Sequence, residues 1–145
     1  MAIKITPIGF VKNAFKEPGK DDWETLISEI VINKEFEQAL DQIDGFSHII
    51  VLYWMNRVSP TQRTVLKVHP KHDPKMPLVG VLATRSPARP NPIGIATVKL
   101  VECHSNILKV MGLDAIDETP VLDIKPHIPR YDSPAETKTA IWATR

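Results

Sequence analysis

His48-Ile-Ile-Val-Leu-Tyr-Trp-Met55 is the stretch that decides the fold class of this chain. From Ile49 to Tyr53 it is apolar without a break and opens on three β-branched residues, which predicts a central strand covered on both faces. Shorter runs rich in β-branched residues recur on either side, at residues 3–11, 28–33, 64–69, 78–83, 94–102, 107–113 and 121–124. One helix interrupts the pattern. In residues 34–43, Phe36, Ala39, Leu40 and Ile43 repeat at helical spacing, with Asn33 as N-cap and Gly45 just past the end. The remaining connections are too short for parallel crossovers, so the sheet should be largely antiparallel. The expectation is a mainly β chain: a small antiparallel β-barrel, or strongly curved sheet, with one α-helix and few other helical turns.

At 145 residues and 16.3 kDa the chain has the size of one domain, expected to run over 1–145 with no C-terminal extension. A domain of this length buries roughly 70% of its unfolded surface. With 43% hydrophobic and 24% charged residues and a net charge of +1, neither disorder nor a polybasic tail is indicated. Cys103 is the one cysteine, which excludes an intrachain disulfide and any multi-cysteine metal site. It sits among alternating apolar neighbours and reads as an inert buried thiol. No charged segment followed by a long apolar run opens the chain, and residues 49–55 are far too short to span a bilayer. A cytoplasmic protein without membrane contact is expected.

Thirteen prolines stand against six glycines, and seven of the prolines lie between Pro60 and Pro92. No two glycines are closer than Gly9 and Gly19, so the glycine-rich dinucleotide turn and the P-loop are both absent. Charge is segregated. Residues 57–89 carry seven Lys or Arg against Asp73 alone, whereas residues 13–46 carry nine acids against three bases. The basic stretch reads either as a surface for a polyanion such as RNA or as ordinary solvated loops.

Ala83-Thr-Arg-Ser-Pro-Ala-Arg-Pro-Asn-Pro-Ile-Gly94 is the segment richest in chemistry. Prolines 87, 90 and 92 hold it nearly rigid, which lowers the entropy cost of presenting Arg85, Arg89 and Asn91 in fixed directions. A guanidinium offers a planar fork to carboxylate or phosphate, and an asparagine amide can bond the N6/N7 edge of adenine. The plainer alternative is a tight loop whose arginines cap carbonyl groups.

These twelve residues resemble the signature of the TsaA-like (TrmO) family of S-adenosylmethionine-dependent methyltransferases, which act on N6 of threonylcarbamoyladenosine beside the tRNA anticodon, at position 37. Gly45-Phe-Ser-His48, Gly80-Val-Leu-Ala83 and Leu113-Asp-Ala-Ile-Asp-Glu-Thr-Pro-Val-Leu-Asp-Ile-Lys-Pro126 support the resemblance in the same order, so that it covers roughly residues 5–131. It implies a β-barrel methyltransferase, a homodimer with S-adenosyl-L-methionine bound near the subunit interface, and tRNA as partner. Cofactor contacts carried over by position are Met55, Asn56, Arg85, Ile95, Leu113, Asp114, Ala115, Ile116 and Asp117. Three departures stand out: Asn56 where the family often has histidine, His127 where it often has tyrosine, and residues 17–22 in place of a Pro-Arg-Gln segment.

Methyl transfer from a sulfonium needs in-line approach and exclusion of water, so positioning suffices and no protein nucleophile is required. Arg89, Asn91 and Asp123 are the residues expected to act on the acceptor. Arg89 would hold the threonyl carboxylate, and Asp123, or Asp132, would take the N6 proton, although Asp123 serves equally well as an acceptor for backbone amides. Lys125 joins Arg89 in the expected substrate set, and Lys67, Lys71 and Lys75 would contact phosphates. His69, His72 and Asp73 invite a metal reading, but an exposed basic loop is preferred and no metal is expected. The three tryptophans are too dispersed to stack bases by themselves; Trp54 reads as core or interface. A small-molecule methyltransferase of the same fold and a non-catalytic cofactor-binding module remain as alternatives.

Overall fold

A computed structural model describes residues 1–15 and 22–144. The departure noted at residues 17–22 therefore lies, apart from Asp22, outside the described residues. The chain divides into two compact units, residues 1–56 with 93–127 and residues 57–92 with 128–145.

The first unit is a closed barrel of six strands, ordered β1 (Gly9–Lys12), β2 (Ile27–Ile32), β7 (Ile107–Met111), β6 (Ile93–His104), β3 (His48–Trp54) and β8 (Pro120–Pro126), every pairing antiparallel. Strand alternation sends Ile30, Ile32, Ile49, Val51, Val98, Leu108, Val110 and Val121 inward, each at most 1% exposed. Truncating Leu108 or Ile49 to alanine should cost about 2–5 kcal/mol. Closure needs strands to bend, and two bulges supply this: β6 carries an extra residue, Val101, against β7, and β8 an extra residue, Leu122, against β3. Gly9 permits the close approach of β1 to β2, because a Cβ there would run into the backbone of Val31.

The strand β3 is flanked on both edges, by β6 and β8, as a central strand should be. Its second face differs from expectation. Ile49, Val51 and Tyr53 are buried, whereas Ile50, Leu52 and Trp54 on the opposite face are only half-buried.

The helix expected at residues 34–43 is a 3-10 segment, Lys34–Leu40. Asn33 makes no side-chain cap, Asp41 turns extended, and Gln42 takes a left-handed φ of 73° before a second 3-10 turn at Ile43–Gly45. Leu40 is buried and Phe36 and Ile43 pack on the core, but Ala39, the fourth member of the apolar pattern, is exposed. With an uncapped start and three anchors, the tighter winding satisfies the burial, and nothing drives a longer α-helix.

The second unit holds a two-stranded ribbon, β4 (Lys67–Val68) with β5 (Val79–Gly80). The predicted strands shrink to two residues each because prolines 70, 74 and 77 lie between them and Val81–Ala83 winds into a 3-10 turn. The one α-helical segment among the described residues, α1, is a single turn, Pro129–Asp132, with proline at its start and the Asp132 carboxylate accepting from the Ile128 amide at 2.8 Å. Asp132 is thereby occupied as a cap. No helix among the described residues is long and apolar enough to cross a membrane.

Candidate functional site

In the second unit the signature loop is held from within. The Thr84 hydroxyl donates to the Val81 carbonyl (2.8 Å) and accepts from the Ser86 amide (3.1 Å), and the Ser86 hydroxyl accepts from the Ala88 amide (3.2 Å). Arg89 closes the turn, its Nη1 donating to the carbonyls of Thr84 and Ser86, both at 3.0 Å. Capping of carbonyls by an arginine, the plainer reading of the motif, is thus what one edge of the Arg89 guanidinium does. A second clamp comes from outside the loop. Arg63, in the turn Gln62–Thr64, donates through Nε to the Pro90 carbonyl (2.7 Å) and through Nη2 to Oδ1 of Asn91 (3.3 Å). Asn91 is therefore oriented with its oxygen engaged and its Nδ2 available as donor. Arg85 is exposed, and no hydrogen bond or ion pair ties it down among the described residues.

Lys67, Lys71 and Lys75 are exposed in the same unit. Lys71 and Arg85 line one groove of about 660 Å³; Lys67 and Lys75 do not. His69 is bonded through Nδ1 to the Met76 carbonyl at 2.8 Å, and the Asp73 carboxylate accepts from the Lys75 amide at 2.9 Å. Among the described residues no three His, Cys, Asp or Glu side chains gather to hold a metal ion.

In the barrel unit, residues 113–117 form a pinned connection between β7 and β8. Leu113 and Ala115 are buried at 0% and 5% exposure and pack in the barrel core, so they anchor the connection and offer no side chain to the surface. The Tyr53 hydroxyl donates to the Asp114 carbonyl at 2.9 Å. Asn13 ties down the far end, its Nδ2 donating to the Ala115 carbonyl and to Ser28 Oγ, both at 2.9 Å, while its amide donates to the Asp117 carboxylate at 2.9 Å. Asp117 is thus a brace. Asp114 reaches the surface, yet the surrounding protein desolvates its carboxyl enough to raise its pKa above the ordinary carboxylate value. Ile116 is half-buried, as is Met55 just after β3, and Asn56 is exposed. Ile95, 45% exposed, sits opposite Leu52 on the outside of the barrel.

Asp123 and Lys125, two apart on β8, form an exposed ion pair at 2.9 Å. His127 stands edge-on to His48, ring centres 6.4 Å apart, and its amide donates to the His48 carbonyl. Cys103 is half-buried, and burial pushes its thiol up, followed by the charges of Asp44 and Glu37. Arg63, Tyr53 and Asn13, which fix the geometry, were not among the residues singled out as site candidates from the sequence; the partners named here lie 15 to 104 positions away and no spacing rule points to them.

The family model of the tRNA-methyltransferase O N-terminal domain matches residues 11–133. The chain belongs to this family. A relative from Methanothermobacter thermautotrophicus, named "Probable S-adenosyl-L-methionine-binding protein", is 44% identical over 137 residues, covering 92% of this chain and 96% of its own. A second, from Archaeoglobus fulgidus, named "S-adenosyl-L-methionine-binding protein", is 43% identical over 132 residues, covering 88% and 91%. Among solved structures, the TrmO crystal structure from Pseudomonas aeruginosa superposes with a TM-score of 0.77 at 28% identity, covering 97% of this chain and 63% of that one. The chain thus spans less than two thirds of the solved TrmO protein that it matches. In this TrmO-family chain the signature is residues 83–94, and the pinned connection 113–117 falls inside the same family match.

Proposed function

We propose that this chain is an S-adenosyl-L-methionine-dependent methyltransferase whose acceptor is N6 of threonylcarbamoyladenosine at tRNA position 37, working as a cytoplasmic homodimer. The observation that carries the reading is the doubly clamped signature loop, which presents Arg89, Asn91 and Arg85 on a frame fixed by prolines and by Arg63. Family membership and the names of the archaeal relatives support the cofactor.

The barrel residues fit that cofactor chemically. Asp114 brings a surface carboxylate able to accept from hydroxyl or ammonium groups, its backbone is held by Tyr53, and Met55 and Ile95 offer apolar surface. When bound, the cofactor supplies an electrophilic methyl group on a sulfonium. The chain's own task is positioning. Arg89, with Nη1 spent on the loop, offers Nε and Nη2 to the acceptor's carboxylate; Asn91 donates from Nδ2 to the adenine edge; Asp123 is the carboxylate assigned to the N6 proton, with Lys125 beside it as a substrate cation. Arg85 keeps the role that the resemblance implies, a cofactor contact, and Lys67, Lys71 and Lys75 meet phosphates.

A second reading, a cofactor-binding module without turnover, is favoured by one observation: both archaeal relatives are named for binding and not for a reaction. Labelled S-adenosyl-L-methionine, incubated with the protein and tRNA carrying threonylcarbamoyladenosine, separates the readings. Label recovered in that nucleoside by mass spectrometry is the expected result. Cofactor binding with no label in any tRNA supports the module, and label in a metabolite instead of RNA supports a small-molecule enzyme.

A further inference from the structure

The groove in the second unit has a composition that the signature loop alone does not explain. One wall is the ribbon and its turn, from Val68 to His72; the second is the loop from Leu82 to Pro87; the third is Trp142 with Ala143. Its lining includes two cations, Lys71 and Arg85, and two imidazoles, His69 and His72, and among the described residues no carboxylate lines it. Trp142 is half-buried in the 3-10 turn Ile141–Ala143, held by the Ala143 amide bonding the Ala140 carbonyl at 2.9 Å. A half-buried indole that lines the same groove as Lys71 and Arg85 offers aromatic surface in a site that also carries positive charge.

The walls are stiff. Pro70 and Pro87 restrict the two loops, Thr84 and Ser86 spend their hydroxyls on the backbone, and His69 is bonded to Met76. A rigid slot that joins an aromatic plane to cations fits a ligand that is itself a plane joined to an anion.

We infer that this groove is a subsite for one unpaired nucleotide of single-stranded RNA, its base stacked on Trp142 and its phosphate held by Lys71 and by Arg85, whose place in this groove assigns it to the RNA instead of to the cofactor contact that the resemblance implies. It rests on the RNA-modifying reading above and extends it, because an acceptor nucleotide in a loop has unpaired neighbours that must be held. The subsite shares no lining residue with the pinned connection at 113–117 and needs no sequence readout, since every base has a π-face.

The test uses the full chain and fluorescein-labelled hexa-adenylate as the probe. Trp142→Ala should weaken binding about ten-fold, Trp142→Phe should restore most of it, and an abasic analogue of the same length should bind the wild type as weakly as hexa-adenylate binds Trp142→Ala. Cofactor binding, followed by calorimetry in the same variants, should be retained, which also shows that they are folded. Hexa-adenylate binding unchanged in Trp142→Ala overturns the inference, as does equal competition by an acidic peptide, which would make the groove a protein-docking surface. Should hexa-adenylate bind through Trp142 while no tRNA is ever methylated, the subsite stands and the proposed reaction falls. Should tRNA be methylated while hexa-adenylate binding is indifferent to Trp142, the reaction stands and the subsite falls.

Discussion

The ring of Tyr53 occupies the space that a side chain at Gly94 would need. A Cβ at residue 94 would collide with the Tyr53 ring, and that ring's hydroxyl holds the Asp114 carbonyl. The last residue of the signature is thus coupled through one aromatic side chain to the connection at 113–117. Gly94→Ala should cost about 1–3 kcal/mol, the usual penalty for overpacking a filled site, read as a lower midpoint in denaturant at unchanged slope. Tyr53→Phe keeps the ring and loses the hydrogen bond, for a loss of about 1 kcal/mol and weaker binding of S-adenosyl-L-methionine by calorimetry. Unchanged cofactor affinity in Tyr53→Phe would remove residues 113–117 from the cofactor site.

Arg89 combines a brace with a proposed recognition role, and two substitutions separate them. Arg89→Ala orphans two carbonyls and should lower stability by about 1–3 kcal/mol, while abolishing preference for threonylcarbamoylated over unmodified tRNA. Arg89→Lys keeps the charge without the fork and should recover part of the stability but little of the preference. If Arg89→Ala instead eliminates cofactor binding, Arg89 serves the other ligand.

Desolvation raises the Asp114 pKa in the folded chain, so folding binds a proton more tightly there than the unfolded chain does. The sign follows: its contribution to stability is fully present below the unfolded pKa and is lost as pH rises through the folded one. Asp114→Asn should therefore be more stable than wild type at neutral pH, with the advantage vanishing below about pH 4. The same variant should bind S-adenosyl-L-methionine more weakly at pH 7. Parallel melting curves across this range, with a constant gap between the two proteins, would exclude the effect.

Ile95 and Leu52 are neighbours on the outer surface of β6 and β3, and Ile95 is nearly half exposed. In the proposed homodimer this apolar face is covered, so light scattering should give twice the 16.3 kDa of one chain. Ile95→Glu should shift the mass toward a single chain at micromolar concentration. A wild-type mass of one chain at that concentration contradicts the dimer.

The basic stretch gives a salt signature. Replacing Lys67, Lys71 and Lys75 by methionine should weaken tRNA binding irrespective of sequence and reduce the slope of log K against log salt by up to about 3. Wild-type slope and wild-type methylation in the triple variant would make these lysines a solvated face.

The eight strands were legible because β-branched runs bounded by turn residues leave few other options, and all eight appear, three of them much shortened: the first, expected over residues 3–11, is Gly9–Lys12, and the two in the proline-rich stretch keep two residues each. The helix was misread because the spacing of Phe36, Leu40 and Ile43 is that of an α-helix, whereas the segment ends at Leu40 and Ile43 reaches the core from a separate 3-10 turn beyond the left-handed Gln42. At the site, rigidity of residues 83–94 could be read from three prolines. The clamps could not. Arg63 looked like one charge among seven, and Asn13 was not singled out at all, because hydrogen bonds across 27 or 104 residues leave no periodic trace.

Leu122 is a spare link in the barrel wall. On one side of it Tyr53 faces Val121, and on the other Leu52 faces Asp123. Excising it would join two stretches already in step, leaving Val121 and Ile124 toward the core and Asp123 and Lys125 toward water. The chain there can lose a residue without turning itself inside out, and only the bend would go. Barrel girth and side-chain facing are thus set by different residues in this strand, so the curvature around Asp123 can change by single-residue insertion or deletion while its chemistry stays in place.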